Sequence, residues 1–228
     1  MTTANPGQQV ETSLKIDDNI SVPYLQYLPK EFNVDDSTEK WPLMLFLHGR
    51  GQSNGPLAGL KEWGPPRLIE EGKHFPYIII SPQCPKSSWW SNGDQQIVLE
   101  KLLAHIQKSL PIDKSRIYLT GLSMGGFGSW ELAARNPKKF AAVLPICGGG
   151  NVKNGPKLVD IPIWAWHGTV DKIVPFNKSR DMVLAVKRAG GQKIKFTQLS
   201  GIGHVSWPQA YNDPKVWEWF DQHKLTTR

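Results

Sequence analysis

Arg116-Ile117-Tyr118-Leu119-Thr120-Gly121-Leu122-Ser123-Met124-Gly125-Gly126 is the stretch from which the rest of the chain can be read. Ile117 to Thr120 are apolar, aromatic or β-branched and are closed by a glycine, which predicts a buried strand. From Gly125 to Asn136 the pattern turns helical. Between the two, Gly121 to Gly125 matches G-x-S-x-G in the strand–turn–helix setting of a nucleophile elbow. The glycines have a steric reason. A serine held in a strained turn leaves no room for side chains two residues before or after it, where strand and helix crowd together. Gly126 and Gly128 extend that tolerance into the start of the helix.

Working outward, the same alternation recurs. Nearly continuous apolar runs predict buried strands at Trp41 to Leu47, Tyr77 to Ser81, Phe140 to Ile146, Ile161 to Trp166 and Ile194 to Leu199. Leu99, Leu102, Leu103, Ile106 and Leu110 fall on one helical face that Pro111 terminates. Further helices are expected from about Asn177 to Ala189 and Asp213 to His223. Val10 to Leu28 reads as a hairpin turning at Asp17-Asp18-Asn19, and Asn33 to Lys40 as a polar loop. Strands alternating with helices imply the α/β class: a mostly parallel sheet covered on both faces, with the antiparallel hairpin at one edge. The whole chain, residues 1–228, is read as one such domain, and the short stretch from Gly148 to Asp160 predicts no large lid.

In sheets of this kind the chemistry gathers at the carboxyl ends of the strands. A serine hydroxyl needs a base, and the base needs an orienting carboxylate. His204, in the glycine-rich loop Gly201-Ile202-Gly203-His204 after the last strand, is the expected base for Ser123. Asp171, in the loop after Ile161 to Trp166, is the expected carboxylate, giving the chain order Ser, Asp, His. Rival groups fail on position: Asp181 falls on a helix and Asp213 follows the histidine, while His48 and His167 end strands and are expected to bond loop backbone. An oxyanion would be held by backbone N–H groups. The first is that of Met124. For the second, His48-Gly49-Arg50-Gly51 offers Arg50, with Gly49 as the alternative.

Ten tryptophans are many for 228 residues, and several flank these loops. Trp207 together with one of Trp89 or Trp90 is expected to touch substrate, the remainder to pack loops onto the body. No metal motif or cofactor-binding glycine pattern is found, so neither metal nor cofactor is expected. The net charge of +7 is dispersed, without the basic runs or interleaved aromatics of a nucleic-acid surface. No apolar run is long enough to span a bilayer. Cys84 and Cys147 read as buried thiols near strand ends, and oligomeric state leaves no mark. The opening residues lack a leader pattern, which fits a cytoplasmic protein if Met1 is the native start and a secreted one if a leader was removed.

Taken together, these motifs resemble the α/β-hydrolase branch containing polyhydroxybutyrate-depolymerase-like, feruloyl and acetylxylan esterases and the so-called predicted peptidases. The resemblance rests on Leu47 to Gly51, Ser81-Pro82-Gln83-Cys84-Pro85, Arg116 to Gly126, His167-Gly168-Thr169 through Asp171 and Pro175, and Gly203-His204 with Trp207. It implies an α/β-hydrolase fold and cofactor-free hydrolysis of carboxylic esters, small or attached to polysaccharide, by an acyl-enzyme route. Two other readings use the same residues: an acyltransferase or amidase on the same three side chains, and a silent carbohydrate-binding protein using the tryptophans.

Overall fold

The computed structural model describes residues 5–226 except Asn19, Val34, Ser37 and Asn54. Its eight strands are β1 (Gln9–Lys15), β2 (Ser21–Tyr27), β3 (Trp41–Leu47), β4 (Ile78–Pro82), β5 (Ile112–Leu122), β6 (Ala142–Ile146), β7 (Ile163–Gly168) and β8 (Ile194–Leu199). They form one sheet in the order β1-β2-β4-β3-β5-β6-β7-β8. The pairs β1/β2 and β2/β4 are antiparallel and every later pair is parallel. This is the expected architecture, a parallel sheet with a hairpin on one edge. Of the expected hairpin turn, Asn19 lies outside the described residues; beside it the Ile16 N–H donates to Ile20 O at 2.8 Å. Val34 and Ser37 of the expected polar loop also lie outside them, as do Met1 to Ala4 of the opening segment.

The helices are α1 (Gly64–Glu70), α2 (Gly93–Ser109), α3 (Met124–Arg135), α4 (Asn177–Arg188), α5 (Trp207–Asn212) and α6 (Pro214–Asp221). Period-two strand geometry sorts the core into two layers. From β3, Leu43, Leu45 and Leu47 join α2, α3 and α4 through Leu99, Leu102, Trp130 and Met182. Met44 and Phe46 join the opposite layer, with Leu68 of α1, Tyr211 of α5, and Trp217 and Phe220 of α6. Burying each such side chain contributes about 1.5–3 kcal/mol, and β3, buried along its whole length, is the seam between the layers. The β6–β7 connection holds a short 3₁₀ segment, Val152–Leu158, packed against α4 in place of a lid.

Candidate active site

The elbow is built from the collision its glycines avoid. A Cβ on Gly125 would stand 1.9 Å from Leu47 O, and one on Gly121 would stand 2.4 Å from Gly125 O. Strand β3, strand β5 and helix α3 thus meet backbone to backbone around Ser123. That serine has φ +53° and ψ −115°, a backbone geometry costly to any side-chain-bearing residue. Its N–H donates to Ile146 O at 2.9 Å and its carbonyl accepts from Phe127 N at 3.1 Å, so strand and helix together hold the strained turn.

The side chain of Ser123 lies with Oγ 2.9 Å from His204 Nε2. On the far side of that ring, His204 Nδ1 is 2.7 Å from Asp171 Oδ2. Three loops, after β5, β7 and β8, therefore bring together the three residues expected from the sequence. Asp171 is anchored from its other oxygen, where Oδ1 accepts the N–H groups of Ile173 (2.8 Å) and Val174 (2.9 Å). Burial works to raise its pKa, but the hydrogen bonds from His204, Val174 and Ile173 outweigh it and hold the carboxyl below its usual range. The aspartate and histidine loops are laced together: Val170 N donates to Ile202 O at 3.1 Å and Gly201 N to Thr169 Oγ1 at 3.0 Å.

Met124 opens α3, so its N–H belongs to the first turn and has no partner within the helix. Arg50 opens the 3₁₀ turn Arg50–Gln52 in the loop after β3, so its N–H likewise has no partner within that turn. The Arg50 side chain reaches across to the loop after β4, donating to Ser88 O (2.8 Å) and Lys86 O (2.6 Å). Its guanidinium lies 5.6 Å from the centre of the Trp89 ring. Beneath this loop His48 is fully enclosed: Nδ1 bonds Gly49 O at 2.6 Å, Nε2 accepts from Cys84 N at 2.9 Å, and burial pushes its pKa down to about 4.

The tryptophans divide. Trp89 is 43% exposed at the rim, whereas Trp90 is fully enclosed, with its indole N–H donated to His48 O. Trp90 is thus a core residue, wedged over Gly128, and cannot meet a substrate without the loop unpacking. Trp207 is mostly buried and stands edge-on to the His204 ring at 5.5 Å, backed by Trp63 at 5.5 Å. Apolar side chains beside the aspartate and the histidine, Val170, Ile173 and Val205, are open to solvent.

His167 makes the backbone bond expected of it and one contact more. His167, near the end of β7, does bond loop backbone, with Nε2 2.9 Å from Val174 O. The same nitrogen also lies 3.1 Å from Asp171 Oδ2.

A model of the phospholipase/carboxylesterase family matches residues 91–216, the part of the chain that holds Ser123, Asp171 and His204. The chain belongs to this family. Within that setting it is 29% identical over 157 residues to a probable feruloyl esterase C of Aspergillus clavatus, covering 68% of this chain and 56% of that one. It is 26% identical over 212 residues to a poly(3-hydroxyoctanoate) depolymerase of Pseudomonas fluorescens, covering 80% of this chain and 74% of the other. Among solved structures, a thermostable esterase superimposes with TM-score 0.82 at 32% identity, over 95% of this chain and 63% of that one. The chain thus spans little more than half of the fungal relative and under two thirds of the esterase. These family relatives and the open eight-stranded sheet place the fold in the α/β-hydrolase class.

Proposed function

We propose that the chain is a serine carboxylesterase working through an acyl-enzyme, with residues 1–228 acting as one domain. The observation that carries this reading is the continuous array Ser123 Oγ–His204 Nε2 and His204 Nδ1–Asp171 Oδ2, at 2.9 and 2.7 Å, on a strained strand-to-helix turn. Such contacts are hydrogen bonds of the length that proton transfer from serine to imidazole needs.

In this reading Ser123 Oγ attacks the ester carbonyl carbon while its proton passes to His204 Nε2. The carbonyl oxygen, now negative, accepts the N–H groups of Met124 and Arg50. The bond to the alcohol oxygen breaks as His204 returns the proton to it, leaving an acyl group on Ser123. Water then repeats the sequence, giving its proton to His204 and releasing the acid, and Ser123 recovers its hydroxyl hydrogen. Asp171 stays ionised throughout and fixes the His204 tautomer.

The substrates proposed are esters of short or aryl acyl groups, free or carried on polysaccharide. Support comes from the exposed Trp89 and the apolar Val170, Ile173 and Val205 around the array, and from relatives named as a feruloyl esterase and a polyester depolymerase. A panel of p-nitrophenyl esters from acetate to palmitate, methyl ferulate and acetylated xylan tests the reading. Hydrolysis is expected on the short or aryl members, together with labelling of Ser123 by a fluorophosphonate. Silence across the panel with no labelling would overturn it.

A further inference from the structure

Asp171 Oδ2 sits between two histidines. His204 Nδ1 approaches it at 2.7 Å and His167 Nε2 at 3.1 Å, and both the carboxylate and the His167 side chain are fully buried. His167 is fixed from three directions. Its Nε2 also faces Val174 O at 2.9 Å, and its Nδ1 lies 2.7 Å from Ser179 Oγ in the first turn of α4. Ser179 Oγ in turn donates to Gly148 O, two residues past β6, at 2.6 Å. The ring of Phe176 stands edge-on to His167 at 5.8 Å. Because Nε2 faces two acceptors, it carries the hydrogen of the neutral ring and donates to both, so Nδ1 can only accept, and the single Ser179 hydroxyl hydrogen is shared between Nδ1 and Gly148 O.

We propose that His167 is a positioning residue which, through Asp171, sets how strongly His204 holds a proton. The inference rests on the esterase reading above. A second N–H on Oδ2 withdraws charge from the oxygen that meets His204, so less of the carboxylate field is available to an imidazolium there. The rest of the surroundings leave this effect visible. Facing the pair from just past β6 is the Cys147 thiol, whose sulfur lies within 4.8 Å of an Asp171 carboxylate oxygen and a His204 ring nitrogen. Burial pushes its pKa up to about 12, so it stays neutral. Lys172 and Lys178, on the flanking segments, are exposed. Burial also works to keep His167 neutral, against its bonds to Val174 and Asp171, so the ring acts as a donor rather than as a fixed charge. Without that donor, Asp171 keeps its place through the amides of Ile173 and Val174 on Oδ1.

The test compares His167→Leu, which removes the donor, with His167→Gln, whose side-chain amide can replace the Nε2 hydrogen. In His167→Leu the acid-side midpoint of kcat/KM against pH is expected to move upward by about half a unit, with kcat down about 3- to 10-fold and KM little changed. His167→Gln is expected to restore both. A midpoint that stays put or moves downward, or a Gln variant as impaired as the Leu variant, would overturn the proposal. NMR titration of the His204 ring in the wild type and both variants gives the same comparison without any substrate. An upward displacement of the ring titration in His167→Leu, reversed in His167→Gln, supports the proposal even if the ester panel is silent; no displacement sinks it even if esters are cleaved.

Discussion

Two buried histidines lie at the carboxyl edge of the sheet with β5 and β6 between them, and they make different bonds. The His48 ring, after β3, bonds backbone groups among the described residues: Gly49 O on its own loop and Cys84 N on the loop after β4. His167, near the end of β7, bonds backbone, a hydroxyl and a carboxylate. On the β3–β4 side the histidine thus serves the scaffold, beneath a rim formed by the open Trp89 held against Arg50. The β6–β8 side is a polar network that runs from Gly148 to Ser123. A histidine ending a strand can serve packing or chemistry, and what separates the two is whether an ionised group stands within its reach.

The largest effect belongs to the elbow that both sides share. Ser123→Ala is expected to lower kcat by several orders of magnitude, about 10⁴ or more, with the Tm nearly unchanged; near-normal turnover of any active substrate would dissolve the comparison, since neither side would then surround a nucleophile. Asp171→Asn should follow at about 10³- to 10⁴-fold in kcat, because an amide favours the wrong His204 tautomer. Steady-state rates on p-nitrophenyl acetate read both.

On the scaffold side the expected effect is on stability. His48 is neutral when folded down to about pH 4, while the unfolded chain protonates it near pH 6.5. Its contribution is therefore complete above about pH 6.5 and falls away as pH drops toward 4, by roughly 3 kcal/mol. Thermal melts across that window should show a decline in Tm that is shallower in His48→Gln; parallel curves would mean that His48 is not the group responsible. The smallest effect is expected at the rim. Trp89→Ala should raise KM for an aryl ester about 2- to 5-fold and leave kcat on acetate esters unchanged, and an equal loss on both would move Trp89 from substrate contact to loop support.

How legible all this was depends on how much of the environment a residue's neighbours encode. Strand β3 occurs at the expected residues, Trp41–Leu47, because both faces are buried and every position is apolar. Strand β5 starts earlier than expected, at Ile112: Asp113 to Ser115 are polar and lie at a register break, with Ile112 paired to Trp41 before it and Ile117 to Leu43 after it. Helix α1, not among the expected helices, holds Pro65-Pro66 in its first turn, where proline is accommodated. At the site, motif and chain order were enough to name Ser123, Asp171 and His204 as candidates. The His167–Asp171 contact had no such signature, as a four-residue offset across a strand end has no periodicity. Nor could Trp89-Trp90 disclose which ring turns inward; that is decided by the space over Gly128.

The Arg50 latch carries one more consequence. Its partners are the carbonyls of Lys86 and Ser88 and the face of Trp89, none of them a formal charge. Dissolved ions weaken attraction between exposed charges, but have far less purchase on a guanidinium seated on peptide oxygens and a ring. The join between the β3 and β4 loops should therefore hold in brine as it does in dilute buffer, and lysine, a single point of charge, would not reproduce the two-pronged grip.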